Sequence, residues 1–271
     1  MSGAPTRPVR SALTIAGSDS SGGGGIQADL KTFAALGVYG TSAITAVTAQ
    51  STLGVVEAAV LSADLVTAQI EAVAGDIELH AVKIGMLGDA AVVEAVAAAI
   101  RELDLPLVVV DPVLASSSGA RLLDDDGIEM LCAQLLSLAH VVTPNIPEAE
   151  VLSGRRIESD DDLEDAARRI HDMGAAAVII TGGHRAGGDV KDVLFDGRSF
   201  SEFLVRRIDV SNVRGTGCSF AAALAAHLAL GDSLRDAAPR AQQYVAAAIE
   251  HSLAVGGGAR VLDHFSKSRA K

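Results

Sequence analysis

Tryptophan is absent from this 271-residue chain, and aromatic residues of all kinds make up 3% of it. So few rings exclude the stacking platforms that hold single-stranded bases. Cysteine occurs twice, at Cys132 and Cys218, which excludes a disulfide framework and points to a reducing compartment. Basic residues are the minority: 22 Lys and Arg stand against 34 Asp and Glu, a net charge of −12. A duplex-binding surface needs clustered cations, so nucleic acid is not an expected partner. Such a protein binds phosphate locally, through backbone N–H groups, a metal ion or a few placed cations. No run approaches the ~20 apolar residues that span a bilayer. The most apolar segment, Cys218 to Leu230, is short and contains His227, so no membrane partner is expected. The first residues lack the long apolar stretch and small-residue cleavage site of a secretory leader, and the cytoplasm is the expected location.

What is present is apolar material, 49% of residues against 21% charged, enough for a sizeable core and too much for a disordered chain. Short β-rich runs alternate with helical ones throughout. ALTIAGSD (12–19) reads as a strand entering a glycine loop, and residues 26–36 as a helix stopped by Gly37. A strand covers roughly 38–49, and Ser62 is a plausible cap for the next helix. The segment AVKIGML (81–87) reads as a strand, with a helix opening at Asp89. The run PLVVVDPVL (106–114) is nearly all apolar, as in a strand buried on both faces. A helix near 127–138, a strand at 140–145, helices from Pro147 and Ser159 and a strand at 175–183 follow. Residues 191–208 read as a hairpin around Asp196-Gly197, and two long helices open near Gly217 and Ser233. The alternation predicts an α/β fold: three layers, αβα, around a mostly parallel sheet. One domain spanning 1–271 is expected, with loose tails at about 1–10 and 266–271.

Ligands of such folds bind beyond the carboxyl ends of the strands, and the chemically distinctive segments fall there. The loop GSDSSGGGG (17–25) runs into a helix, where glycines let backbone N–H groups approach a ligand. It also satisfies G-x-G-x-x-A through Gly23, Gly25 and Ala28. A nicotinamide-binding reading nevertheless lacks its ribose-binding acid some 20 residues on, where Thr48, Ala49 and Gln50 stand. NVRGTGCS (212–219) offers the N–H groups of Gly215, Thr216 and Gly217 at a helix N-terminus, an anion hole for a transferring phosphoryl group. Cys218 lies in the first turn, where the helix dipole favours thiolate; a buried structural cysteine is the competing reading. Asp111 ends one strand, and Asn145 and Glu148 follow another. Carboxylates at neighbouring strand ends suit Mg²⁺, while Asn145 and Glu148 equally suit a helix cap. Gln50 can pair with a heterocycle through its amide donor and acceptor. The seven histidines show no metal-ligand spacing; His80, His140, His171 and His227 read as structural or surface residues. The runs Asp124 to Asp126 and Asp160 to Asp162 read as solvated helix starts.

Taken together, AGSDSSGGGGIQADLKTFAALGVYGTSAITAVTAQ, KIGML, DPV, TPNIPEAE, TGGH and GTGC, in this order over nearly the whole chain, resemble the hydroxymethylpyrimidine/phosphomethylpyrimidine kinases of thiamine biosynthesis. That family belongs to the ribokinase-like superfamily. The resemblance implies phosphorylation of a 5-hydroxymethyl group and then of the monophosphate, both from ATP with Mg²⁺. It implies that Gln50 hydrogen-bonds the aminopyrimidine and that Gly17, Asp29, Met86 and Val113 enclose the ring. Gly215, Thr216 and Gly217 are the implied anion hole, with Cys218 as base or hydroxyl-orienting group. Thr181, Gly182 and Asn145 are implied at the nucleotide, and Asp111 and Glu148 at the metal. A homodimer is the expected assembly. Two positions depart from the pattern. Thr181 stands where the family commonly has a Lys reaching the ATP phosphates, and Arg214 replaces a residue often His; Arg185 or Arg214 is a candidate to supply the missing charge. The alternatives are a pyridoxal kinase of the same fold, a pyrimidine-binding protein without phosphoryl transfer, and a nicotinamide-dependent oxidoreductase.

Overall fold

The computed structural model describes residues 9–116, 119, 121–183 and 188–266. The expected tails fall largely outside these, as does Arg185. A nine-stranded sheet forms the central layer, in the order β3-β2-β1-β4-β5-β6-β7-β8-β9. Its strands are β1 (Ser11–Asp19), β2 (Tyr39–Ser51), β3 (Gly54–Val60), β4 (Ala81–Ile84), β5 (Val108–Val110), β6 (Val141–Val142), β7 (Val178–Ile180), β8 (Asp189–Phe195) and β9 (Phe200–Arg206). The strands from β2 through β7 pair in parallel, whereas β3, β8 and β9 are antiparallel additions at the two edges.

Side-chain alternation explains the layering. Along β5, Val108 and Val110 face one core and Val109 the other; β7 repeats this with Val178 and Ile180 against Ile179. On the first face pack α2 (Ala63–Ala74), α3 (Ala90–Glu102), α4 (Asp125–Met130), α5 (Ile146–Ser153) and α6 (Asp160–Asp172). On the second pack α1 (Gly25–Ala35), α7 (Thr216–Ala229) and α8 (Leu234–Glu250). The buried face of α7 is mostly alanine, which lets a helix approach the sheet closely. The expected caps form: Ser62 accepts from the Leu65 N–H, Asp89 from that of Val92, Asp124 from that of Gly127, and Ser159 makes a capping box with Asp162. Short polar side chains at these positions satisfy N–H groups the helix itself leaves unpaired.

Three expectations need correction. Strand β3 has no counterpart among the expected elements: it is an exposed edge partner of β2, and its mostly exposed residues carry no buried-strand signature. The predicted strands at 106–114, 140–145 and 175–183 shrink to three, two and three residues, because their ends leave the sheet to build loops. The helix near 127–138 begins as α4 at Asp125 but continues as a π turn (Leu131–Leu135) and a 3-10 turn (Leu136–Leu138). A small separate ladder pairs β10 (Val213–Arg214) with β11 (Arg260–Val261) in parallel. It ties the start of α7 to the C-terminal segment.

Candidate active site

One cavity of about 540 Å³ opens at the carboxyl ends of β1, β2, β4, β5 and β6 and at the start of α7. Two glycine motifs interlock along its wall. Gly25 holds φ +55°, and a Cβ there would lie 2.3 Å from the Gly17 carbonyl oxygen. Gly215 holds φ +84°, and a Cβ there would lie 2.0 Å from the Gly23 carbonyl oxygen. Both the left-handed backbone and the close approach require glycine. The first loop is braced by Asp19, whose Oδ1 accepts from the Ser21 N–H (2.8 Å) and hydroxyl (2.7 Å) while Oδ2 accepts from the Gly24 N–H (2.8 Å). The N–H groups at the opening of α7 thereby come to lie over the cavity.

Most of the expected residues line this cavity: Gly17, Gln50, Met86, Val113, Asp111, Asn145, Glu148, Gly215, Thr216, Gly217 and Cys218. They converge from six segments spread over 200 residues. Met86 sulfur lies 3.0 Å from where a Gly17 Cβ would stand, so Gly17 opens the floor on which a ring can rest. The Gln50 amide is oriented by the Thr48 hydroxyl, which donates to its Oε1 at 3.1 Å.

Asp29 does not line the cavity. It is fully buried behind it, where Thr14 Oγ1 donates to its Oδ2 at 2.6 Å and Lys83 Nζ at 2.9 Å. The expected ring contact is replaced by an ion pair under the floor, with both side chains 0% exposed. Thr181 and Gly182 also stand off the cavity wall. Thr181 bridges to Asn145, and its N–H donates to the Pro144 carbonyl at 3.0 Å. The Gly182 N–H donates to Asp192 Oδ1 at 2.8 Å. Both therefore flank the rim on the β6–β7 side.

Asn145 and Glu148 form the reciprocal capping box of α5: the Glu148 N–H donates to Asn145 Oδ1 (3.0 Å) and the Asn145 N–H to Glu148 Oε2 (2.9 Å). The box also fixes a buried carboxylate beside the cavity. Burial, and then the negative charge of Asp111, pushes the Glu148 carboxyl up. Burial raises Asp111 too, with Asp29 adding to the effect and Lys83 opposing it. Asp111 Oδ2 is buried without a hydrogen-bond partner. Two raised carboxylates and an orphaned acceptor suit a divalent cation, since Mg²⁺ keeps several waters and needs only one or two protein ligands. Among the described residues no cluster of three or more His, Cys, Asp or Glu side chains forms a metal cage.

At Cys218 the surroundings oppose the expected thiolate. Its thiol is pushed up to about 12, first by burial and then by Asp111 and Asp29. Loss of solvent and the neighbouring carboxylates thus oppose the thiolate that the helix dipole and Lys83 favour. Two further residues matter that sequence reasoning gave no firm role. Lys83, 0% exposed, pairs with Asp29 and acts on Asp111 through its charge; its signal was a lone cation inside an apolar strand, which demands a partner. Arg214 is 6% exposed and lines the cavity, and its Nη1 donates to the Ser51 carbonyl at 2.7 Å.

Backbone donors that face a pair of buried carboxylates across a cavity of this size are the working parts of a small-molecule phosphotransferase, here on the three-layer fold of the ribokinase-like enzymes. Comparison with known proteins carries this further: the family model described as phosphomethylpyrimidine kinase matches residues 19–263, and the chain belongs to that family. The chain is 47% identical over 262 residues to the hydroxymethylpyrimidine/phosphomethylpyrimidine kinase of Bacillus subtilis, covering 96% of this chain and 97% of that one. It is also 47% identical over 258 residues to a thiamine biosynthesis bifunctional protein of Geobacter sulfurreducens, and spans 95% of itself but 53% of that longer protein. The solved pyridoxal kinase of Staphylococcus aureus in complex with AMP-PCP and pyridoxal is similar, with a TM-score of 0.89 at 34% identity over 98% of this chain and 97% of that one.

Proposed function

We propose that this protein is an ATP-dependent kinase that phosphorylates 4-amino-5-hydroxymethyl-2-methylpyrimidine and then its monophosphate, in thiamine biosynthesis. The observation that carries phosphoryl transfer is the placement of the α7 opening against Asp111: a Cβ on Gly217 would stand 3.9 Å from Asp111 Oδ2. Donors for a phosphoryl group and a carboxylate for its counter-cation thus share one small space. Gln50, with the floor of Gly17 and Met86 and the wall at Val113, receives the aminopyrimidine. Asn145, Thr181 and Gly182, on the β6–β7 side, receive the nucleotide.

Asp111 and Glu148 are the residues that would hold Mg²⁺, and the ion would neutralise phosphate charge. The N–H groups of Gly215, Thr216 and Gly217 hold the transferring group. Catalysis is then mainly positioning and electrostatic stabilisation. In a loose transition state the attacking hydroxyl needs little prior deprotonation. A neutral Cys218 thiol therefore serves by orienting that hydroxyl. The chain acts as one kinase domain and pairs as a homodimer in the cytoplasm.

The test is ADP release from Mg-ATP with hydroxymethylpyrimidine, its monophosphate and pyridoxal assayed in parallel. Turnover of both pyrimidine species is expected. Turnover of pyridoxal alone assigns the protein to pyridoxal phosphorylation, a reading favoured by its likeness to the Staphylococcus aureus enzyme. Binding of pyrimidine without ADP release assigns it to non-catalytic binding.

A further inference from the structure

We infer that Arg214 is the specificity residue for the second phosphorylation, binding the phosphate already carried by the acceptor; the inference rests on the two-step kinase reading above. A phosphomonoester brings about −1.5 to −2 charges at neutral pH. It must enter a cavity already lined by Asp19, Asp111 and Glu148, in a chain of net charge −12. Among the described residues two cations line that cavity, Lys83 and Arg214. The charge of Lys83 is committed to Asp29 at 2.9 Å. Arg214 has no carboxylate partner among the described residues, and its Nε is buried without a hydrogen-bond acceptor. A guanidinium so placed retains donors in a fork that matches phosphate oxygens.

Position decides which phosphate it meets. Arg214 precedes the anion hole directly, but its side chain runs toward the acceptor end. Its Nη1 is anchored on Ser51 at the tip of β2, one residue from Gln50. Its Cδ lies 3.5 Å from where a Gly23 Cβ would stand. The nucleotide side, marked by Asn145 and Thr181, is at β6 and β7, several strands away. Charge supplied at Arg214 therefore does not replace the cation missing at Thr181. It discriminates between the alcohol and the monophosphate as acceptors.

The experiment measures kcat and KM for each acceptor at saturating Mg-ATP, in the full chain and in Arg214→Gln and Arg214→Lys. Loss of a charge-assisted hydrogen bond predicts that Arg214→Gln raises KM for the monophosphate about tenfold or more relative to KM for the alcohol, through KM and not kcat. Arg214→Lys keeps the charge but loses the fork, so a smaller shift in the same direction is expected. If Arg214→Gln does not fold, Arg214→Lys and the salt dependence of the unmodified chain carry the test: KM for the monophosphate should rise with ionic strength more steeply than KM for the alcohol. An equal effect on both acceptors, an effect on KM for ATP alone, or identical salt dependence for the two acceptors overturns the assignment. If the unmodified chain turns over neither pyrimidine, the kinase reading itself fails, a result distinct from any of these.

Discussion

The buried pair of Asp29 and Lys83 gives the sharpest test of the physical argument. Both side chains are fully buried and 2.9 Å apart. Lys83 is raised above its ordinary value because its carboxylate partners outweigh the burial that opposes its charge, Asp29 contributing most. Asp29→Asn keeps the shape and the hydrogen bond to Thr14 but removes the negative charge. At an effective dielectric of ~20 the lost attraction is about 6 kcal/mol, and removing one partner of a buried pair is measured at about 3–5 kcal/mol. With an unfolding entropy of ~2.1 cal/mol/K per residue, a chain of this length should melt about 5–9 °C lower. The assay is thermal unfolding by calorimetry, with urea unfolding as a second measure. Asp29→Leu with Lys83→Met removes both charges and should recover most of that loss, because an apolar pair needs no compensation. Its turnover should nevertheless stay low, since Lys83 is the cation that opposes the raised Asp111 carboxyl. A single variant that melts within about 2 °C of the parent refutes the reasoning. So does a double variant no more stable than the single one.

Other predictions follow from the same geometry. Cys218, whose thiol burial pushes up, should be alkylated by iodoacetamide at pH 7.5 more slowly than a free thiol, as read by mass spectrometry; faster labelling would restore the thiolate. Cys218→Ala should lower kcat and leave KM for the pyrimidine nearly unchanged, and equal turnover removes the side chain from the mechanism. Gln50→Ala should instead weaken pyrimidine binding by about tenfold, the scale of one or two hydrogen bonds, measured by calorimetric titration. Burial lowers the His264 ring to about 4, while its Nε2 lies 3.0 Å from the Ser219 hydroxyl. The folded state therefore favours neutral histidine. Stability is full above about pH 6.5 and is lost as the pH falls toward 4, by up to about 3 kcal/mol. His264→Gln should flatten the dependence of melting temperature on pH over that window.

The layers and the loops are legible in the local pattern of residues. Apolar runs of three to nine residues alternating with amphipathic helices admit one class of architecture. Ser62, Asp89, Asp124 and Ser159 then start their helices as expected, because caps act over three or four residues. The two glycine motifs were legible for the same reason: Gly25 and Gly215 advertise backbone positions that no other residue can take. Even Asn145 and Glu148 were readable as a helix cap, which forms, and both also line the cavity. What escaped was whatever depends on a neighbour far along the chain. Strand β3 is defined by pairing with β2, not by burial of its own side chains. Asp29 was expected at the ring, but Lys83, 54 positions away, draws it beneath the floor. The helix dipole at Cys218 is a local property and favours thiolate; the tertiary structure opposes it by bringing burial, Asp111 and Asp29 to the same point. Arg214 reads from sequence as a substitute for the cation missing at Thr181, until the fold sets it between Gly23 and Ser51 with no carboxylate to meet among the described residues. Local rules fix backbone geometry because their partners lie a few residues away. The charge state of a side chain is decided by all that surrounds it, and only the folded chain specifies that.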